Sequence, residues 1–268
     1  MGQGINTKLA QVISHELNIP YSTVRIRASD TFVSPNAMAS NGSITSECVA
    51  RAAEAACAEL RARVGGEGTW LERVKRAYDK EVNLKVVGMA SGSSLASYSV
   101  YGACALEVEL DALTGTRNIR RVDLAQDTGR TLSPAIDIGQ VEGALCMGLG
   151  LWGSAGERVR RNAMGRLAAT TWRYAPPGPL DIPEDLRITL RDADTGKNVA
   201  PVLRSKATGE PALVLAVSLT HALRAAAAAA RAELGHQDDH DWLHIDVPCD
   251  VEHVLLAMDP QIENFKLK

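Results

Sequence analysis

Five places in the sequence carry residues whose types and spacing could do chemistry. In Gly209-Glu210-Pro211 a carboxylate stands directly ahead of a long alanine-rich stretch. Proline suits the first position of a helix, so Glu210 is read as its cap, and the positive end of the helix favours the ionised carboxylate. Held in a cleft, such a group is a general base; on a surface it is only a cap, and spacing does not separate the two. Gly2-Gln3-Gly4 sets an amide between two glycines just before an amphipathic helix, whose first backbone N–H groups have no partner within the helix. Those groups can receive an anionic or amide-bearing ligand, although an ordinary flexible terminus has the same composition. Ser40, Asn41, Gly42, Ser43, Ile44, Thr45 and Ser46 open the second helix with small hydroxyl residues and a glycine. Helix starts of this kind bind phosphate without Lys or Arg, and they also serve as plain N-caps. No Gly-Lys-Ser or Gly-Lys-Thr follows, so this is not a nucleotide-triphosphate loop of the Walker type.

Gln140 is a neutral amide in an apolar, glycine-rich helix, where it needs partners if buried and none if it faces water. His236, His240 and His244 stand four apart among aspartates. They follow the helix-breaking Gly235 in a polar spacer, and we read them as carrying no metal.

The elements that must position these residues follow from periodicity. Leu9, Val12, Ile13 and Leu17 put an apolar face on a helix over 5–17. Val24, Ile26 and Ala28 alternate with Thr23, Arg25 and Arg27 as in a strand with one wet face. A helix over 44–63 is stopped by Gly65-Gly66, and 66–97 reads as a charged, Gly- and Ser-bearing stretch ending in an exposed connection. Leu106, Val108 and Leu110, then Thr114-Gly115, then Ile119, Val122 and Leu124 form a hairpin. The helix over 134–151 carries Gly139, Gly143, Gly148 and Gly150, which points to close backbone contacts. A strand at 186–190 and a helix over 211–234 complete the pattern. The expectation is an α+β fold, with mixed sheets and packed helices, divided as 1–90, 91–235 and a tail at 236–268.

Composition narrows the function classes. With 29 basic and 32 acidic residues, a net charge of -3 and a pI near 6.1, there is no excess cation for a phosphate backbone, so nucleic acid is not an expected partner. No run of the sequence reads as a bilayer span, and the first residues do not form a signal peptide, so a cytoplasmic location is expected. The five cysteines, Cys48, Cys57, Cys104, Cys146 and Cys249, form no Cys-x-x-Cys pair. That argues against a disulfide framework, a zinc ribbon, or an iron–sulfur cluster held by this stretch alone.

Four segments together, MGQGINTKLAQV, SPNAMASNGSITSE, SPAIDIGQVEGALCMGLGL and LRSKATGEPALVLA, resemble the xanthine dehydrogenase and aldehyde oxidase family of molybdenum hydroxylases, in the family's order. The resemblance corresponds to the C-terminal half of the molybdopterin-binding domain. It implies that Gly2, Gln3 and Gly4 lie near the molybdenum, that Ser40 to Ser46 wrap the pterin and its phosphate, that Gln140 reaches the cofactor, and that Glu210 is the base beside the metal. The family inserts oxygen from water at an electron-poor carbon of an aldehyde or N-heterocycle. Its iron–sulfur clusters and FAD would sit on N-terminal domains supplied in cis or as a separate subunit, and complete members are dimers. On this reading the chain alone is inactive. A non-catalytic scaffold, or one piece of a multi-subunit enzyme, would keep the same motifs.

Overall fold

The computed structural model describes residues 1–34, 36–37, 39–153, 175–193, 199–200, 202–236 and 243–261. The basic stretch at 158–166, the residues 172–174, His240 and the tail at 262–268 lie outside the described residues. The described elements are α1 (Ile5–Leu17), α2 (Thr45–Val64), α3 (Trp70–Asp79), β1 (Gly102–Leu110), β2 (Arg117–Asp127), α4 (Pro134–Gly153), β3 (Asp185–Arg191), α5 (Gly209–Leu215), α6 (Ser218–Glu233) and α7 (Val251–Met258). The fold is α+β, with one small mixed sheet and packed helices.

The chain forms two compact units that interleave along the sequence. The first holds 1–100, 128–139 and 192–208; the second holds 101–127, 140–191 and 209–268.

In the first unit, α1 presents Val12 to Ala50 and Ala53 of α2 and to Val202, with Leu9, Ile13, Leu132 and Leu203 packed around them. The apolar repeat read from 5–17 is thus the buried face of α1. One charge is buried with it: the Lys8 Nζ lies 2.6 Å from Asp137 Oδ1 in the first turn of α4, their side chains 8% and 0% exposed. The other carboxylate oxygen of Asp137 is buried with no hydrogen-bond partner.

The stretch after Gly65 contains α3, where the sequence reading placed no helix. Its start is a capping box: Thr69 accepts from the Glu72 amide while the Glu72 side chain accepts from the Thr69 amide. The strand expected at 24–28 is not formed. Val24 and Ile26 are half-buried and their neighbours exposed, as the alternation requires, but these residues have no ladder partner. Periodicity reports which side chains are covered, whereas a strand also needs a neighbour for its backbone.

In the second unit the order is β1–β2–β3, with β1 and β2 antiparallel and β2 and β3 parallel. The hairpin is as read, with a register shift between Glu107 and Val108. Val122 and Leu124 on the central strand pack with Val141, Leu145 and Leu149 of α4, Leu219 and Leu223 of α6, and Val254 and Met258 of α7. Two of the four helical glycines behave as expected: a Cβ at Gly148 would meet Ala216 and the Leu213 carbonyl, and one at Gly150 would meet Pro177. At Gly139 and Gly143, by contrast, no atom of another described element comes within 4 Å of that position. The helix expected over 211–234 is broken into α5 and α6 at Ala216 and Val217. Together 209–233 are long and apolar enough to cross a membrane by length and composition, with mean hydropathy 1.6. The core explains that composition, since Ala212, Ala216, Leu219, Leu223 and Ala227 are fully buried in it. All five cysteines are free, and burial pushes each thiol up from its ordinary value.

Candidate cofactor-binding surface

Two of the motifs open helices in the first unit, and neither start is closed by a side chain. Gly4 is the N-cap of α1, in the left-handed region at φ 61°, and makes no side-chain cap. A Cβ there would press on the Ile136 side chain, and the left-handed backbone itself favours glycine. Among the described residues the amides of Ile5, Asn6 and Thr7 have no hydrogen-bond partner. Gln3 is half-buried beside them, and Gly2 is exposed with φ 71°.

At the second motif, Gly42 and Ser43 take consecutive left-handed conformations, at φ 64° and 54°, and turn the chain into α2. Ile44 is the N-cap with no side-chain bond, so the serine cap allowed by the sequence is not the one used. Among the described residues the amides of Thr45, Ser46 and Glu47 are left open at the positive end of a helix of 20 residues. Ser40 and Asn41 are exposed, and Ser43, Ile44, Thr45 and Ser46 are half-buried.

Just inside that helix start is a polar chain that the sequence reading missed. Glu47 is 8% exposed and accepts a hydrogen bond from Tyr98 Oη at 2.9 Å; Tyr98 Oη in turn accepts from the Ala207 amide at 3.1 Å. Burial raises the Glu47 carboxyl above its ordinary value, opposed by the Tyr98 bond and by Arg51. Burial and the Glu47 charge raise the Tyr98 phenol in the same direction. The three partners are 51 and 109 residues apart, and no local pattern marks them.

The segment that ends at Thr208 is pinned on both sides. The Arg130 amide donates to the Arg204 carbonyl at 2.8 Å, the Lys206 amide to the Thr128 carbonyl at 2.9 Å, and the Lys206 Nζ to the Ser99 carbonyl at 3.2 Å. Leu203 and Arg204 are both left-handed, at φ 46° and 66°, a conformation that costs roughly 1–2 kcal/mol for each such residue. That strain is held by the surrounding bonds, and strain of this kind collects at ligand clamps.

Gln140 and Glu210 belong to the second unit, each within two residues of a point where the chain leaves the first. Gln140 is half-buried on α4. Glu210 is exposed and lies in the first turn of α5, which begins one residue earlier than the cap position read from the sequence. No group of three His, Cys, Asp or Glu side chains that could hold a metal ion occurs among the described residues. His236 Nε2 lies 3.0 Å from the Asp259 carbonyl oxygen and His244 Nε2 3.0 Å from Asp246 Oδ1.

A family model described as the molybdopterin cofactor-binding domain matches residues 1–183, more than half of the chain. The chain belongs to this family. The cofactor of the family is molybdenum-molybdopterin. Human aldehyde oxidase is 34% identical over 97% of the chain, and aldehyde oxidase 1 of Cavia porcellus 35% identical over 88%. The chain spans about one fifth of the length of these relatives, 20% and 19%. Among solved structures, quinoline 2-oxidoreductase from Pseudomonas putida 86 shares the fold with a TM-score of 0.72 at 23% identity, over 96% of this chain and 35% of its own. CO dehydrogenase from Oligotropha carboxidovorans does so with a TM-score of 0.70 at 20% identity, over 96% of this chain and 34% of its own.

The buried state of Glu47 gives a pH prediction. A carboxyl whose folded value is raised binds its proton more tightly when folded, so its contribution favours folding at low pH and is lost as pH rises through the folded value. Glu47→Gln keeps the acceptor for Tyr98 and removes the charge. It is expected to raise the thermal midpoint near neutral pH by roughly 2–4 °C, the response to about 1 kcal/mol in a chain of this size. The gap from the parent should close as pH falls below the ordinary carboxyl value of 4.5. Midpoints recorded across that range check both parts, and a gap independent of pH contradicts the assignment.

Proposed function

We propose that the chain is part of the molybdopterin site of an aldehyde oxidase-type hydroxylase that oxidises an aldehyde or an N-heterocycle at an electron-poor carbon. The observation that carries this reading is the pair of helix starts at Gly4 and Gly42, each turned by left-handed backbone and each leaving open amides where a side-chain cap would otherwise sit. Such amides fit the phosphate and the oxygen and nitrogen acceptors of a pterin, because they bring partial positive charge without a competing cation. Gly2, Gln3 and Gly4 would hold the metal end, Ser40 to Ser46 the pterin and its phosphate, and Gln140 a further edge. Bound molybdopterin supplies the two-electron oxidation that places an oxygen from water on the substrate.

The chain's own part is to orient and to move a proton. The carboxylate of Glu210 takes the proton released as the new carbon–oxygen bond forms, a role worth roughly 10²- to 10⁴-fold in rate for a well-placed base. Iron–sulfur clusters, FAD and the rest of the cofactor cradle would come from the four-fifths of the relatives' length that the chain does not span, in cis or as a subunit, within a dimer.

A second reading, a scaffold that keeps the fold without catalysis, is favoured by the exposure of Glu210. Molybdenum and pterin analysis separates cofactor holding from mere shape. The chain co-produced with the preceding four-fifths of human aldehyde oxidase should purify with about one molybdenum and one pterin per chain. Purified complex lacking both would overturn the cofactor assignment.

A further inference from the structure

Gly4, Lys8 and Gln11 stand four and three residues apart, on one face of α1, and each meets the segment 132–137 of the same unit. A Cβ on Gly4 would press on the Ile136 side chain, the Lys8 Nζ donates to Asp137 Oδ1 at 2.6 Å, and the Gln11 Nε2 donates to the Leu132 carbonyl at 2.9 Å. Lys8 also closes the first turn of the helix, because its amide donates to the Gly4 carbonyl at 2.9 Å. Asp137 is thus joined through a single residue to the left-handed glycine that opens α1.

Stability does not account for the ion pair. Burying two charges costs much of what their attraction returns, and well-packed apolar residues in their place are often as good or better. This pair is weaker still, since the second Asp137 oxygen is buried with no hydrogen-bond partner among the described residues. What a charged hydrogen bond adds is a fixed direction and length. The core contacts of α1, Val12 with Ala50, Ala53 and Val202, are apolar, and apolar contacts carry no direction. A slip of one residue moves a helix start by about 1.5 Å, and about 1 Å of misplacement costs a reaction about 10²-fold.

We propose that Lys8 and Asp137 are positioning residues, which fix where the Gly4 turn and its open amides stand against 132–137. The inference rests on the reading that this turn holds the metal end of the cofactor.

The test sets stability against cofactor retention in the complete enzyme, for the parent, for Lys8→Met with Asp137→Leu, and for Asp137→Asn. Thermal midpoints are recorded beside the rate of molybdenum loss on dialysis and the steady-state constants for an aldehyde. The double variant removes the bond together with both charges, so its midpoint should stay near that of the parent. Its molybdenum should nevertheless leave roughly tenfold faster or more, and its kcat should fall by roughly tenfold or more with KM within about threefold. Asp137→Asn leaves an acceptor for Lys8 but strips the charge from a buried partner. Its midpoint should fall, while molybdenum loss and kcat stay within about threefold of the parent. Stability and retention then move apart in opposite senses, which a merely structural pair does not produce. The proposal is overturned if the double variant keeps molybdenum and turnover at parental levels, if molybdenum loss follows the midpoint in both variants, or if neither variant folds. Where only one of them folds, its own comparison with the parent decides. Parent enzyme that holds no molybdenum sinks the cofactor reading, whereas parent and double variant that hold it equally well sink only this one.

Discussion

Glu210→Gln, placed in the complete enzyme, is expected to reduce hydroxylation of an aldehyde or N-heterocycle by roughly 10²- to 10⁴-fold, the usual contribution of a positioned base. Molybdenum and pterin content should stay near those of the parent. The argument is local. Glu210 lies in the first turn of α5, and glutamine keeps the volume and an acceptor while losing the ability to take a proton. A loss confined to kcat marks a group that acts in the reacting state, whereas a change confined to KM marks one that only holds substrate. Unchanged turnover with full cofactor would remove Glu210 from the chemistry and favour the scaffold reading.

The second large effect concerns stability. Lys8→Met should cost about 3–5 kcal/mol, because it strips the partner from the Asp137 carboxylate, whose side chain is 0% exposed and whose other oxygen already lacks a hydrogen bond. For a chain of this size that corresponds to a drop of roughly 10 °C in thermal midpoint. The double change Lys8→Met with Asp137→Leu should regain most of the loss, since removing both charges also removes their desolvation cost. A double-mutant cycle measured by thermal or denaturant unfolding decides it. If the single and double variants are equally destabilised, the loss comes from packing and the ion pair contributes nothing.

Legibility in the sequence followed the range of the interaction. α1, α2 and the hairpin of β1 and β2 are encoded by repeats three, four or two residues long, and each forms where those repeats place it. α3 carried a local signal as well, the Thr69 and Glu72 box three residues apart, and the glycines and charges around it concealed it. The alternation at 24–28 was real as burial and misleading as a strand, because pairing depends on a neighbour that no periodicity reveals. At the candidate site, Gly4 and Gly42 were legible as residues that permit left-handed turns. Lys8 with Asp137, and Glu47 with Tyr98 and the Ala207 amide, were not. These contacts join residues 129, 51 and 109 positions apart, and a buried Lys or Glu on an amphipathic helix looks like its solvated counterpart until the opposing element is known.

The interleaving of the two units bears on how the molecule is made. The chain passes from one unit to the other after residues 100, 127, 139, 191 and 208. The first unit therefore cannot close until position 208 has left the ribosome, although its helix α1 is made about 190 residues earlier. Throughout that interval the apolar side of Val12, Ala50 and Ala53 waits for Val202. A nascent chain stalled before that point carries an unsealed core, and no single truncation of the gene yields either unit by itself.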